Sequence, residues 1–158
     1  LNKSKIICID GDGSIQINIQ ELQTMISNQL PIKIIIINND GYGIIKQFQE
    51  LYLNKRYEAV DSKKGVTNPN FLKIAKAYGV KYSEIKNNSN IDKVLSNTIK
   101  SKNAEFINVF IDPNQKIIPK LTFGSPLEDL SPLLSRQEFD ENMIIKSVNR
   151  VNKLTESN

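Results

Sequence analysis

Two apolar runs, each followed at once by a turn of glycine and polar residues, constrain the fold of this chain most. The first run, Ile6–Ile9, leads into GDGS at 11–14, and the second, Ile34–Ile37, leads into NNDG at 38–41. The segment between them has a helical pattern, so the runs are predicted to be adjacent parallel strands joined by a crossover helix. Asn39 follows Asp12 by 27 residues, which fits a strand–helix–strand unit of roughly thirty residues.

The two turns are predicted to form a ligand site. Parallel strands end at one edge of a sheet, and open α/β sheets bind ligands at that edge. Asp12 and Asn39 are therefore expected to converge there, with their side chains within about 5 Å, close enough to share one ion. A carboxylate, an amide oxygen and glycine-exposed backbone provide oxygen ligands for a hard cation that carries a phosphate.

The rest of the chain continues the alternation of strands and helices. The first helix is predicted over 18–28, with Asn18 as its N-cap and Glu21 completing a capping box. Further helices are predicted near 44–53, 70–78 and 91–102, and further strands near 80–85 and 105–111. The order βαβααβαβ predicts an α/β domain at 1–111, doubly wound, with a mainly parallel sheet and helices on both faces.

From residue 112 onwards the composition changes. Four prolines between 113 and 132 predict an extended arm rather than another layer of the sheet. Ser135 and Glu138 form a second capping-box pattern, which predicts a helix running towards Val148. The chain is thus divided into the α/β domain and a proline-rich arm with a helix at 112–158.

Composition excludes several classes of function. The net charge is +4, but Lys and Arg are scattered and do not alternate with aromatic residues, which argues against nucleic-acid binding. The longest apolar runs are too short to span a membrane.

Cys8 is the sole cysteine, so no internal disulfide can form. Cys8 lies in a strand that is apolar throughout, as strands covered on both faces tend to be, so its thiol is predicted to be buried. A single cysteine that forms no disulfide predicts a protein of the reducing cytoplasm. The absence of histidine removes the commonest general base.

A calcium-binding loop is one alternative for residues 10–21. Asp10, Asp12, Ser14 and Glu21 fall at positions 1, 3, 5 and 12 of an EF-hand loop, but Ile15 stands where that loop needs glycine. The preceding segment also has the pattern of a strand, whereas an EF-hand loop follows a helix. A plain structural turn is the other alternative.

The same residues resemble the thiamine-diphosphate motif of enzymes such as acetolactate synthase and pyruvate decarboxylase. The similar segments are GDGS, NNDGYG at 38–43, QFQELYLNKRYE and NPNFLKIAKAYGVK, and together they cover most of residues 5–85. The resemblance implies that Asp12, Asn39 and the backbone carbonyl of Gly41 ligate Mg²⁺, which holds the diphosphate of the cofactor. It also implies cofactor contacts from Gly11, Gly13, Ser14, Tyr42, Gly43 and Ile44.

Two of these positions have a competing structural interpretation. Ser14 would donate to the diphosphate, or would form only a hydrogen bond within the turn. Ile44 would flank the cofactor, or would belong to the core. Gln47, Phe48 and Gln49 match a stretch where acetolactate synthases often have Gln-Trp-Gln near the substrate entrance. Phe48 would lie near that entrance, or would be a core aromatic on its helix.

The resemblance also implies a function. It points to the Mg²⁺–thiamine-diphosphate-binding domain of a larger enzyme, similar to acetolactate synthase, that decarboxylates a 2-oxo acid and transfers the product to a carbonyl acceptor. In that family the activating glutamate lies on a separate pyrimidine-binding domain, from the same or a partner chain. We therefore assign no catalytic residue here, and we expect the isolated chain to be inactive, to lack the N-terminal part of its domain and to act within a homo-oligomer. A 2-oxo acid decarboxylase of the same family and a non-catalytic remnant are the alternatives.

Overall fold

The computed structural model describes residues 6–145, and its centre is one sheet of parallel strands. The strands are β1 (Ile7–Gly11), β2 (Lys33–Asn38), β3 (Lys81–Ile85) and β4 (Glu105–Phe110). Their order is β1-β2-β4-β3, and every neighbouring pair is parallel. The predicted α/β architecture is therefore confirmed, with strand ends that differ from the predicted ones by one or two residues.

Five α-helices accompany the strands in the described part of the chain. They are α1 (Glu21–Ser27), α2 (Gly43–Tyr52), α3 (Phe71–Tyr78), α4 (Ile91–Lys100) and α5 (Arg136–Asn142). Helix α3 begins and ends within one residue of its predicted bounds, 70–78. The Asn70 side chain accepts a hydrogen bond from the Lys73 amide, and Gly79 ends the helix in the left-handed conformation with φ 72°.

The start of α1 differs from the prediction. Residues Ser14–Asn18 form a separate 3-10 helix, and α1 begins only at Glu21, after Gln20, which makes no side-chain cap. The predicted cap at Asn18 is therefore wrong. Its partner in the predicted capping box, the Glu21 carboxylate, instead accepts a hydrogen bond from the Thr24 hydroxyl at 2.8 Å.

The core lies on the sheet face that packs against α1 and α3. Phe71 of α3 stacks on Phe106 of β4, with ring centroids 5.7 Å apart. The other buried members of this cluster are mostly aliphatic: Ile15, Leu22, Met25, Ile34, Ile36, Ala75 and Val80. Burying a large aliphatic side chain stabilises the fold by about 1.5–3 kcal/mol, so this cluster holds α1 and α3 against the sheet.

Strand β1 lies at the edge of the sheet. Among residues 6–145 it pairs with β2 alone, and Ile9 is 68% exposed. The Cys8 thiol is exposed as well. The predictions of a first strand covered on both faces and of a buried thiol are therefore wrong, because a strand with one neighbour is not enclosed as a central strand is.

The chain forms two compact units, residues 1–116 and 117–158. In the second unit Lys120 and Ser131 pair through two backbone hydrogen bonds, and the Ser135 hydroxyl accepts from the Glu138 amide at the start of α5, as predicted. Helix α5 ends at Asn142, short of the predicted end, because Met143 is already extended. Val148 lies outside the described residues. No described helix is long and apolar enough to cross a membrane.

Candidate functional site

The turns that follow β1 and β2 lie side by side at the carboxyl edge of the sheet. Gly11 is in register with Ile37, and the Asp12 amide donates to the Ile37 carbonyl at 3.3 Å. This is the edge at which the chain connectivity placed a ligand site. The two turns come from residues far apart in sequence and meet because a crossover segment joins adjacent parallel strands.

The Asp12 carboxylate links the two turns. Its side chain is almost fully buried, with 2% of the residue exposed. Oδ1 accepts a hydrogen bond from the Gly13 amide at 3.0 Å, and Oδ2 accepts one from the Gly41 amide at 3.0 Å. A third donor, Asn68 Nδ2, lies 2.6 Å from Oδ2.

No positive side chain of the described residues forms an ion pair with Asp12. None of the ion pairs among residues 6–145 includes it. Burial raises the pKa of Asp12, and the hydrogen bonds from Gly41, Asn68 and Gly13 oppose that rise without cancelling it. A buried carboxylate that receives hydrogen bonds only from neutral donors keeps an uncompensated negative charge when ionised. Such a group is suited to binding a cation.

The Asn39 side chain supplies a second oxygen without a partner. Its Oδ1 is buried and accepts no hydrogen bond from any described residue. A buried polar atom left unpaired costs about 1–3 kcal/mol, so such an atom requires an explanation. The amide nitrogen of Asn39 lies against the start of α2, since a Cβ added to Gly43 would come within 2.2 Å of it.

Close packing explains the other glycines of the site. A Cβ on Gly13 would lie 2.1 Å from the Tyr42 ring, and one on Gly41 would lie 2.2 Å from the Val60 carbonyl. The Tyr42 amide donates to that same carbonyl at 2.8 Å. Any side chain at position 13 or 41 would therefore displace the turns from each other or from the segment around Val60.

The remaining predicted residues lie at the rim of the site. The exposed Ser14 hydroxyl donates to the Asp10 carboxylate and accepts from the Gly11 amide at 3.1 Å, which is the hydrogen bonding of a turn. Ile44 is 67% exposed at the start of α2, so its interpretation as a core residue is wrong. Phe48 is also exposed and contacts Tyr52, with ring centroids 5.1 Å apart, so it is not a core aromatic.

The calcium-loop alternative does not fit the structure. Strand β1 runs through Asp10 to Gly11, so the loop follows a strand and not a helix. Asp10 bonds to the Gly11 amide and to Ser14, whereas Asp12 is buried against the turn after β2. The ligands of an EF-hand loop would have to face one point.

Two residues of the site are not among the predicted site residues. Asn68 lies in the irregular segment before α3, and Gln16 lies in the 3-10 helix after the first turn. Gln16 Nε2 donates to Asn68 Oδ1 at 3.0 Å and to the Asp12 carbonyl at 3.1 Å. The contacts of Asn68 with Gln16 and with Asp12 form only because the chain between α2 and α3 returns to Asp12.

Comparison with known proteins identifies the family. Residues 1–109 match the profile described as the thiamine pyrophosphate enzyme, C-terminal TPP binding domain. The chain belongs to this family. It is 34% identical over 119 residues to the acetolactate synthase large subunit of Porphyra purpurea, a match covering 75% of this chain and 20% of that protein. It is 32% identical over 130 residues to acetolactate synthase isozyme 2 large subunit of Escherichia coli K12, covering 82% of this chain and 23% of that protein.

Two solved decarboxylase structures share the fold of this family member. Benzoylformate decarboxylase from Polynucleobacter necessarius superposes with a TM-score of 0.64 at 24% identity, covering 72% of this chain and 21% of that one. The thiamine diphosphate-dependent 4-hydroxybenzoylformate decarboxylase of Rhodococcus jostii gives a TM-score of 0.62 at 23% identity, with coverages of 68% and 20%. The chain thus spans about a fifth of the length of the relatives it matches.

Proposed function

We propose that this thiamine-pyrophosphate-binding domain holds thiamine diphosphate through Mg²⁺ and belongs to an acetolactate synthase-like enzyme. That enzyme would decarboxylate a 2-oxo acid and transfer the product to a carbonyl acceptor. The observation that carries the proposal is the buried Asp12 carboxylate, which forms no ion pair with any residue of 6–145 and lies beside the turn that holds the Asn39 oxygen, unpartnered among those residues. An uncompensated carboxylate and an unpaired amide oxygen fit a hard cation.

The proposed ligands are Asp12, Asn39 Oδ1 and the carbonyl of Gly41. A diphosphate cannot approach a buried carboxylate without a cation between them, because like charges repel by several kcal/mol at low effective dielectric. The tight backbone of the first turn, with Gly11, Gly13 and Ser14, would let the diphosphate approach closely. Tyr42, Gly43 and Ile44 would flank the cofactor. Thiamine diphosphate, when bound, supplies the carbanion-stabilising chemistry, and this chain binds and orients it.

Sequence similarity favours transfer to an acceptor over simple decarboxylation. The relatives with 31–34% identity are acetolactate synthases, including the mitochondrial catalytic subunit of Saccharomyces cerevisiae. The decarboxylases share 23–24% identity, which supports the fold and not the reaction. We further propose that a pyrimidine-binding domain, from the same or a partner chain, completes the active site within a homo-oligomer. The 158-residue chain alone should then form no acetolactate from pyruvate.

Calorimetric titration of thiamine diphosphate into the complete enzyme that contains this chain tests the metal bridge. Binding should require Mg²⁺ and weaken when the ion is chelated. Asp12→Ala and Asn39→Ala should each weaken Mg²⁺-dependent binding by at least about 10–100-fold, the range seen when only the outer partners of metal ligands are lost. Asp12→Ala removes a negative charge, so a site without a bridging cation would bind the diphosphate more tightly in this variant.

Asp40→Ala is the matched control, because Asp40 lies in the same turn as Asn39 with its side chain exposed. The affinity of the Asp40→Ala variant for thiamine diphosphate should remain near that of the wild type. Unchanged or tighter binding on chelation, or in Asp12→Ala, would refute the bridging role. A wild-type enzyme that binds no cofactor would favour the non-catalytic alternative.

A further inference from the structure

Asn68 contacts the proposed metal ligand from a part of the chain that supplies no predicted site residue. It lies two residues before Asn70, the N-cap of α3. Its Nδ2 lies 2.6 Å from Asp12 Oδ2, the shortest of the three hydrogen bonds to that carboxylate. A bond to an ionised acceptor is stronger than one between neutral groups, so this contact has a large influence on how the carboxylate is oriented.

The hydrogen bonds distinguish the two oxygens of Asp12. A carboxylate has about four lone-pair sites, two on each oxygen. Oδ2 accepts from both Gly41 and Asn68, so both of its sites are used. Oδ1 accepts only from Gly13 among the described residues. One site on Oδ1 therefore remains for a further ligand, and a cation would be bound through that oxygen alone.

Gln16 determines which end of the Asn68 amide faces Asp12. Because Gln16 Nε2 donates to Asn68 Oδ1 at 3.0 Å, the oxygen of that amide is held away from the carboxylate and the NH₂ group faces it. The same Gln16 nitrogen also donates to the Asp12 carbonyl at 3.1 Å. Three side chains and one backbone carbonyl thus form a closed network around the proposed ligand.

We propose that Asn68, oriented by Gln16, is a positioning residue that holds Asp12 for binding a small divalent cation through one oxygen. This inference rests on the proposed function. Mg²⁺ requires near-ideal octahedral geometry, whereas Ca²⁺ accepts bidentate carboxylates and irregular geometry. Occupying Oδ2 therefore favours Mg²⁺ over Ca²⁺. Releasing Oδ2 would remove that preference even if the fold were unchanged.

The test measures the dissociation constants of Mg²⁺ and Ca²⁺ for the complete enzyme that contains this chain, at a saturating concentration of thiamine diphosphate. Asn68→Ala should weaken Mg²⁺ binding by about 10-fold or more, since loss of an outer partner typically costs about 10–100-fold in metal affinity. Ca²⁺ binding should weaken less, so the preference for Mg²⁺ over Ca²⁺ should fall. A residue that merely supports the fold would weaken both ions together.

Gln16→Met is the second variant, because it keeps a side chain of similar length and removes the donor to Asn68. It should lower the preference for Mg²⁺ in the same direction. Asn70→Ala is the matched control: it removes a helix cap from the same segment and should lower the stability of the fold without changing the preference. Circular dichroism establishes whether each variant is folded, and if Asn68→Ala unfolds, Gln16→Met decides.

The outcomes separate the two proposals. If the wild-type enzyme binds Mg²⁺ and both variants keep its affinity and ion preference, the positioning role is wrong and the proposed function stands. If the wild-type enzyme binds no Mg²⁺ with thiamine diphosphate, the proposed function fails, and this inference fails with it. Loss of Mg²⁺ preference in Asn68→Ala and Gln16→Met, but not in Asn70→Ala, supports the positioning role.

Discussion

Asp12 and Glu105 are buried carboxylates at opposite ends of the same sheet, 2% and 1% exposed, and their surroundings differ. Glu105 is the first residue of β4. It accepts from Lys81 Nζ at 3.0 Å and from the Thr98 hydroxyl at 3.1 Å. It is also in register with Lys33 on β2. Asp12, just beyond the end of β1, receives hydrogen bonds only from neutral donors among the described residues.

The pKa values of the two groups move in opposite directions. At Glu105 burial opposes ionisation, but the interactions with Ser101, Lys81 and Thr98 outweigh it and lower the pKa. At Asp12 burial prevails, and the pKa is raised. A carboxylate that the protein itself compensates serves the fold, whereas one left uncompensated at a ligand-binding edge is a candidate for an external cation.

The largest effect should come from removing the compensated carboxylate. Glu105→Ala should lower the free energy of unfolding by about 3 kcal/mol, because it removes a fully buried side chain and leaves the buried Thr98 hydroxyl and the partly exposed Lys81 ammonium without their acceptor. Urea unfolding followed by circular dichroism measures the change. Glu58→Ala, which removes a carboxylate that is 65% exposed, should cost less than about 0.5 kcal/mol. Equal effects in both variants would contradict the structural role of Glu105.

Cofactor-induced stabilisation should separate the two carboxylates. With Mg²⁺ present, thiamine diphosphate at 100 times its Kd should raise the free energy of unfolding by about 2.7 kcal/mol. Asp12→Ala should lose most of this increment. Glu105→Ala should keep it despite its lower starting stability, because Glu105 lies at the other end of the sheet. An increment that survives in Asp12→Ala would show that the uncompensated carboxylate is not the cation ligand.

Acid unfolding should give the smallest difference. The pKa of Glu105 is below its ordinary value of 4.5 in the folded chain. Its ionised form therefore adds stability above the unfolded pKa, and this stability is lost as the pH falls through the folded pKa. The urea midpoint should fall as the pH drops below this ordinary value, and less steeply in Glu105→Gln. Identical pH profiles for the two proteins would contradict the lowered pKa.

Much of the architecture follows from local patterns. Apolar runs of strand length, separated by segments of helical period, predict four parallel strands, and all four are present. Asn70 and Gly79 mark the ends of α3 because capping depends on backbone geometry close in sequence. The meeting of the two glycine-rich turns also follows from connectivity, since a crossover between adjacent strands brings their carboxyl ends together.

Burial does not follow from such patterns. The runs that become β1 and β2 are both apolar, yet β2 is largely enclosed and β1 is exposed. The difference lies in how far the elements packed around each strand cover it, which no residue within either run specifies. For the same reason, the apolar neighbours of Cys8 could not reveal that its thiol is exposed.

Local patterns and chain connectivity account for the order of strands and helices, the glycine turns and the meeting of those turns at one edge of the sheet. Which carboxylate is compensated and which is not depends on the packed fold. The packed fold also brings Asn68 to Asp12. The physical reason is that chain connectivity and local propensity act between near neighbours in sequence. Desolvation and compensation of charge depend instead on every group packed around an atom, including groups more than fifty residues away along the chain.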